Sequence, residues 1–217
     1  MIGDLLPDVV ATEVAYDDPP EARLEPAEEA VVARAVDKRR REFTTVRHCA
    51  RAALTRIGVP YQPLVPGLRG TPSWPDGVVG SLTHCDGFRA AAVARAGELA
   101  SIGIDAEPAL PLPEGVQEVI ALPAEQRRLA ELSAARPDVP WDRILFSAKE
   151  AVYKAWFPLT LKFLEFSEAE LTLAPDGTFT ARLLVPGPEV GGRRLDGFDG
   201  RWAVRDGLLA TAIAVTP

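Results

Sequence analysis

Asp105 and Glu107 stand two residues apart at the end of a short apolar segment, Ser101-Ile102-Gly103-Ile104-Asp105-Ala106-Glu107-Pro108. The apolar run predicts a strand, and side chains two apart on a strand share one face. The two carboxylates therefore lie side by side, with Ala106 turned away. Like charges so placed repel, and a cation is the simplest compensation. Paired hard oxygen donors with no His or Cys beside them suit Mg2+, which keeps part of its water and takes further ligands from substrate phosphates.

Three further groups have types and spacings that could do chemistry. In Phe146-Ser147-Ala148-Lys149-Glu150-Ala151-Val152-Tyr153-Lys154-Ala155-Trp156, helical spacing buries Leu145, Ala148, Val152 and Ala155. It sets Glu150 and Lys154, one turn apart, on the opposite side. Upstream, Lys38-Arg39-Arg40-Arg41 is a basic run, and on an unbroken helix Arg40, Arg47 and Arg51 form one stripe of guanidinium groups suited to phosphate. His84 follows an apolar strand in Gly80-Ser81-Leu82-Thr83-His84-Cys85. The pairs His48-Cys49 and His84-Cys85 lack the spacing of a zinc site. Adjacent Cys and His cannot easily face each other as nucleophile and base, which argues against a thiol hydrolase.

The elements that must position these groups are read from pattern. Residues 1–25 predict a short strand and an irregular arm. Pro26 with Glu28-Glu29 opens a helix that runs to Gly58, with a weak point at Thr44-Thr45. A Pro/Gly-rich ordered loop follows over 59–77. Strands are expected at Val78–Thr83, Phe88–Ala94 and Leu99–Asp105, the first two joined by a turn at Asp86-Gly87. Short helices to Ile120 and over Leu122–Leu132 precede a long one, Trp141–Trp156, and then a loop over 157–169. Two hairpins close the chain, across Pro175-Asp176-Gly177 and Arg205-Asp206-Gly207. The order, a long helix and then antiparallel strands, occurs twice. The fold class expected is α+β, two similar halves related as a pseudo-dimer, 1–107 and 108–217, with the site in the cleft between them.

Composition narrows the function classes. The 217 residues are 47% hydrophobic and 25% charged, with a net charge of −7. That balance argues against a general nucleic-acid binder. No apolar run is long enough to span a membrane. The start, Met1-Ile2-Gly3-Asp4-Leu5-Leu6-Pro7, lacks the pattern of a secretion signal, and two cysteines make no disulfide framework; a cytoplasmic protein is expected.

Four segments together resemble one family: Val46-Arg47-His48-Cys49-Ala50-Arg51, Gly80 to Cys85, Gly103-Ile104-Asp105-Ala106-Glu107, and Phe146 to Trp156. The chain is similar to the single-chain 4′-phosphopantetheinyl transferases, the surfactin-synthetase-activating and enterobactin-synthetase component D type. These activate polyketide, nonribosomal-peptide and siderophore synthetases of secondary metabolism. The likeness covers about residues 26–166; the C-terminal strands fit in pattern only.

The resemblance implies Mg2+, with Mn2+ as a substitute, held by Asp105, Glu107 and Glu150 on the pyrophosphate of coenzyme A. It implies Arg39 and Arg47 on the nucleotide phosphates, Thr83 and His84 on the 3′-phosphate, and Lys149 and Lys154 on the pyrophosphate. It favours Arg39 over the Arg40 of the helical stripe. Pro66 stands where relatives often carry a lysine, leaving Gly67 and Arg69 to meet the adenosine. The implied catalytic groups are Glu150, Lys154 and Asp105; the implied partners are apo acyl and peptidyl carrier domains, and a monomer is expected. The alternatives are a Mg2+-dependent nucleotide pyrophosphohydrolase and a non-catalytic module that binds coenzyme A or carriers.

Overall fold

At Gly103 a strand and a helix touch backbone to backbone. A Cβ there would fall 2.0 Å from the carbonyl oxygen of Ala151 and 2.8 Å from the amide nitrogen of Ala155. Only glycine permits that approach, and the small Ala151 and Ala155 meet it from the helix. This contact sets the distance between Asp105, just downstream on the strand, and the long helix bearing Glu150 and Lys154.

The computed structural model describes residues 1–217. In chain order the elements are β1 (Ala11–Ala15), α1 (Pro26–Val31), α2 (Asp37–Arg56), β2 (Val78–Cys85), β3 (Phe88–Arg95), β4 (Ser101–Pro108), α3 (Val116–Ile120), α4 (Pro123–Ala135), α5 (Trp141–Thr160), β5 (Ala169–Leu173), β6 (Thr178–Leu183), β7 (Glu189–Val190), β8 (Arg193–Arg194), β9 (Gly197–Arg205) and β10 (Leu208–Val215). Strands β1-β3-β2 form one antiparallel sheet, β4-β10-β9-β6-β5 a second, and β7-β8 a small ribbon. Helix α2 packs on the first sheet and α5 on the second. The fold is α+β, built as two halves of one long helix on one antiparallel sheet. No helix is long and apolar enough to cross a membrane.

Two differences from the pattern reading bear on the site. The single helix expected from Pro26 is two: α1 ends at Val31, and α2 starts after an extended Val36 (φ −64°, ψ 155°) with Asp37 in its first turn. The suspected weak point holds. Thr44 bonds back to the Arg40 carbonyl at 2.8 Å and Thr45 donates to Asp18 at 2.7 Å, so both hydroxyls are satisfied without breaking the helix.

The second difference concerns β4. A division after residue 107 assigns the acidic strand to the N-terminal half, yet its backbone pairs with β10, from Ser101↔Val215 to Pro108↔Leu208. Its other edge meets β2 through side chains. Ser81 Oγ accepts the Ile104 N–H and Thr83 Oγ1 accepts the Ala106 N–H, each at 3.1 Å. Two hydroxyls thus stand in for a backbone ladder and satisfy amides that would otherwise be buried without partners. Strand β4 is the seam of the molecule.

Candidate active site in the seam between the halves

A cleft of about 340 Å³ opens along this seam. Helix α2 supplies Arg39 and Arg47 to its wall, β2 supplies Thr83 and His84, the loop before β2 supplies Arg69, β4 supplies Asp105, and α5 supplies Glu150, Tyr153 and Lys154. The α2 side of the lining is basic, and β4 and α5 bring the carboxylates.

Asp105 is buried and held from three sides. Its Oδ1 accepts from Lys154 Nζ at 2.7 Å and from Thr83 Oγ1 at 3.3 Å, and its Oδ2 accepts from Ser147 Oγ at 2.8 Å. Lys154 also donates to the Ile104 carbonyl at 3.0 Å, which fixes it over β4. Glu150 lines the same cleft with no ion pair of its own. Burial first, and then the charge of Asp105, raise its carboxyl above the ordinary glutamate value. A carboxylate so placed binds a proton or a cation more readily than one in water.

Glu107 takes a different course. Arg143 donates to it at 3.0 Å and, through Nε and Nη2, to the carbonyls of Leu110 and Pro111, each at 2.9 Å. Burial and Asp105 raise the Glu107 carboxyl, with Arg143 pulling the other way. Glu107 does not line the cleft, and no three His, Cys, Asp or Glu side chains converge as a metal site. The expected trio is therefore not assembled: Asp105 and Glu150 face one cleft, and Glu107 is committed to Arg143.

Lys149 is a correction. It points into the C-terminal core and pairs with Glu125 of α4 at 2.9 Å, both side chains almost fully buried. Its ammonium also reaches the carbonyls of Phe166 at 2.7 Å and Ala169 at 3.1 Å, which uses all three donors. Glu125 in turn accepts the Leu122 and Leu171 amides, each at 2.7 Å. This network ties α4, α5 and β5 together and leaves nothing for a pyrophosphate.

The basic wall comes together as expected in part. Arg39 donates to His84 Nε2 at 2.8 Å, so the neutral imidazole carries its proton on Nδ1, 3.6 Å from Glu42. Burial chiefly, with the nearby Arg39, Lys154 and Arg89 charges, holds the imidazole below its ordinary value against the pull of Glu42. Arg47 is buried over the Phe43 ring, 3.5 Å from its centroid, and donates to the Leu64 carbonyl. Burial lowers its guanidinium to about 10. The Arg40 of the helical stripe pairs with Glu29 and does not line the cleft. Arg69 sits in a left-handed conformation (φ 54°) with its guanidinium 4.9 Å from the Phe163 ring of the other half. Gly67 is two residues earlier, its amide bonded to the Thr71 carbonyl at 2.7 Å. The Thr83 hydroxyl is spent on Asp105 and Ala106. Cys85, beside His84, is no nucleophile, because burial and the charges of Glu107 and Asp105 push its thiol up to about 12.

Several participants escaped the sequence reading. Ser147 precedes Glu150 and Lys154 by three and seven residues on α5, so helical periodicity alone puts it on their face. Thr211 is a lone hydroxyl in the apolar run Leu208 to Val215, a polar intrusion that marks a buried partner. Arg143 and Glu125 gave no local signal, since their partners are remote in sequence.

Two family models match most of the chain: the 4'-phosphopantetheinyl transferase N-terminal domain over residues 27–94 and the 4'-phosphopantetheinyl transferase superfamily over residues 101–204. The chain belongs to the 4′-phosphopantetheinyl transferase family. The gap between the matched stretches falls between β3 and β4, where backbone pairing passes from one sheet to the other. Among curated relatives, 4'-phosphopantetheinyl transferase Svp of Streptomyces mobaraensis is 65% identical over 99% of this chain and 89% of its own length. PptT of Mycobacterium tuberculosis is 47% identical over 99% of this chain and 98% of its own length. Enterobactin synthase component D of Salmonella typhi is 31% identical over 55% of this chain and 49% of its own length. The chain is thus an enzyme, and its reaction is the transfer of 4′-phosphopantetheine to carrier proteins.

Proposed function

We propose that the cleft binds coenzyme A and that the enzyme passes its 4′-phosphopantetheine arm to a serine of apo acyl or peptidyl carrier domains of polyketide and nonribosomal-peptide synthetases, releasing 3′,5′-ADP. The observation that carries this reading is Glu150, unpaired within the chain, set in one cleft with the Asp105–Lys154 ion pair and with Arg39, Arg47 and His84. Phosphoryl-type transfer needs positioning and charge neutralisation more than a protein nucleophile, and the site offers the former without the latter.

Asp105 and Glu150 are hard oxygen donors, and burial, with the charge of Asp105 beside it, raises the Glu150 carboxyl. That pair fits Mg2+ or Mn2+. When bound, the ion would supply charge neutralisation on a diphosphate. Glu107 can join that set only through Oε1, since Oε2 holds Arg143. The remaining work falls to side chains. Glu150 takes the proton of the carrier serine, whose oxygen attacks the phosphorus bearing the arm, and the bond from that phosphorus to the 3′,5′-ADP oxygen breaks. Lys154 steadies the leaving oxygen. Arg39 and His84 hold the 3′-phosphate, and Arg47 and Arg69 flank the nucleotide.

A second, more apolar cavity of about 290 Å³ adjoins at Glu150 and Tyr153 and is lined by Val152, Phe163, Leu164 and Phe166. Its position beyond Glu150 suits the less polar pantetheine arm. Both halves contribute to the cleft, so a monomer suffices.

Incubating the enzyme with coenzyme A, Mg2+ and an apo carrier domain, then weighing the carrier, tests the reading. A gain of one phosphopantetheine mass is expected. Free phosphopantetheine with an unmodified carrier would indicate a hydrolase, and no change at all a binding module.

A further inference from the structure

Asp105 is oriented by a chain of hydroxyls that reaches the last strand, and hydrogen-bond accounting fixes the direction in which Ser147 and Thr211 donate. A carboxylate only accepts, so Ser147, 2.8 Å from Asp105 Oδ2, must give its single proton to Asp105. Ser147 Oγ then has only lone pairs for Thr211 Oγ1 at 2.9 Å, so a bond between the two is donated by Thr211. The single Thr211 proton is shared with the Ser147 carbonyl, which accepts it at 3.0 Å, so both acceptors of Thr211 belong to Ser147. Ser147 and Thr211 are both wholly buried. Thr211 sits directly across from Asp105 in the β10–β4 pairing, so it braces α5 against the strand that bears the carboxylate.

The two oxygens of Asp105 are not equivalent. Oδ1 is filled by Lys154 and Thr83, whereas Oδ2 has Ser147 alone and keeps a lone pair to spare. Ser147 therefore orients the oxygen that can still accept a ligand, and Thr211 orients Ser147. We propose that Ser147 and Thr211 are positioning residues for the Asp105 carboxylate, so that the spacing between β4 and α5 reaches the reacting centre through two buried hydroxyls. This rests on Asp105 acting in the transferase site proposed above. Thr211 lies beyond the stretch matched by the family model, which ends at residue 204.

Thr211→Val keeps the side chain's shape and removes the hydroxyl; Thr211→Ser keeps the hydroxyl; Ser147→Ala breaks the link nearest the carboxylate. Carrier-modification kinetics give kcat and KM, and free Mn2+ measured by electron paramagnetic resonance gives metal affinity without turnover. Loss of an outer partner of a ligating carboxylate costs about 10–100-fold in metal affinity or activity. Thr211→Val and Ser147→Ala should fall in that range in kcat and in Mn2+ affinity, with carrier KM within about twofold and Thr211→Ser close to the parent. Folded Thr211→Val and Ser147→Ala proteins that match the parent in Mn2+ affinity and kcat would overturn the inference. So would a Thr211→Ser as impaired as Thr211→Val, since packing alone would then be at stake. If Thr211→Val does not fold, Ser147→Ala decides by the same two readouts. A parent enzyme that modifies no carrier would refute the reading of the site instead, and the Mn2+ titrations would still decide the role of the hydroxyls.

Discussion

His84 accepts a hydrogen bond from Arg39 and is held below the usual histidine value, chiefly by burial. It is therefore neutral at pH 7 in the free enzyme. The unfolded chain, with an ordinary histidine near 6.5, binds more protons than the folded one in the window below that value. Stability is thus lost as pH falls from 6.5 towards the depressed folded value. His84→Gln should flatten the fall in melting temperature across that window; an unchanged slope would show that His84 does not contribute. Lys149 gives a sharper residue-scale test. Leaving Glu125 buried without its partner costs about 3–5 kcal/mol, so Lys149→Met should lower stability by that order in urea unfolding. Coenzyme A affinity of the folded fraction should stay within a few-fold. A large loss of affinity without loss of stability would restore Lys149 to the phosphate site. Spacing on one helix or strand made Asp105, Glu150 and Lys154 legible in the sequence. The commitments of Lys149 and Glu107 were not, because Glu125 and Arg143 come from other elements and only packing brings them in.

At the scale of elements, β4 and α5 are welded at Gly103. A methyl group there would meet the α5 backbone at Ala151 and Ala155, where no flexible side chain can move aside. Gly103→Ala should destabilise the protein by about 1–3 kcal/mol, the usual cost of forcing atoms into a packed core, measured by denaturant unfolding. It should also slow transfer, since Asp105 moves with β4 while Glu150 and Lys154 move with α5. A variant as stable and active as the parent would contradict the rigid seam. Period-two and period-3.6 patterns revealed nearly every strand and helix, including α5 and both C-terminal hairpins. They misplaced the helix break, because Val32 and Val36 leave helical geometry with no Pro or Gly to announce it. They also said nothing of which sheet would take β4, since edge pairing depends on β10, a hundred residues away.

For the molecule as a whole, the two halves are held together where β4 bonds to β10 by its backbone and to β2 by Ser81 and Thr83. The cleft lies on that junction, so each half brings what the other lacks: Arg39 and Arg47 from α2 and His84 from β2, carboxylates and Lys154 from β4 and α5. A net charge of −7 is no obstacle, because Arg39, Arg47, Arg69 and Lys154 all line the cleft. The account depends on Glu150 acting on the carrier serine within this cleft rather than on its merely helping to hold coenzyme A. The most direct measurement is transfer by Glu150→Gln to an apo carrier, followed by mass, beside coenzyme A binding by calorimetry. A fall in kcat of about 100-fold or more, the span of general-base contributions, with coenzyme A affinity changed by less than about fivefold, is the predicted result. Near-normal transfer by the variant would contradict it.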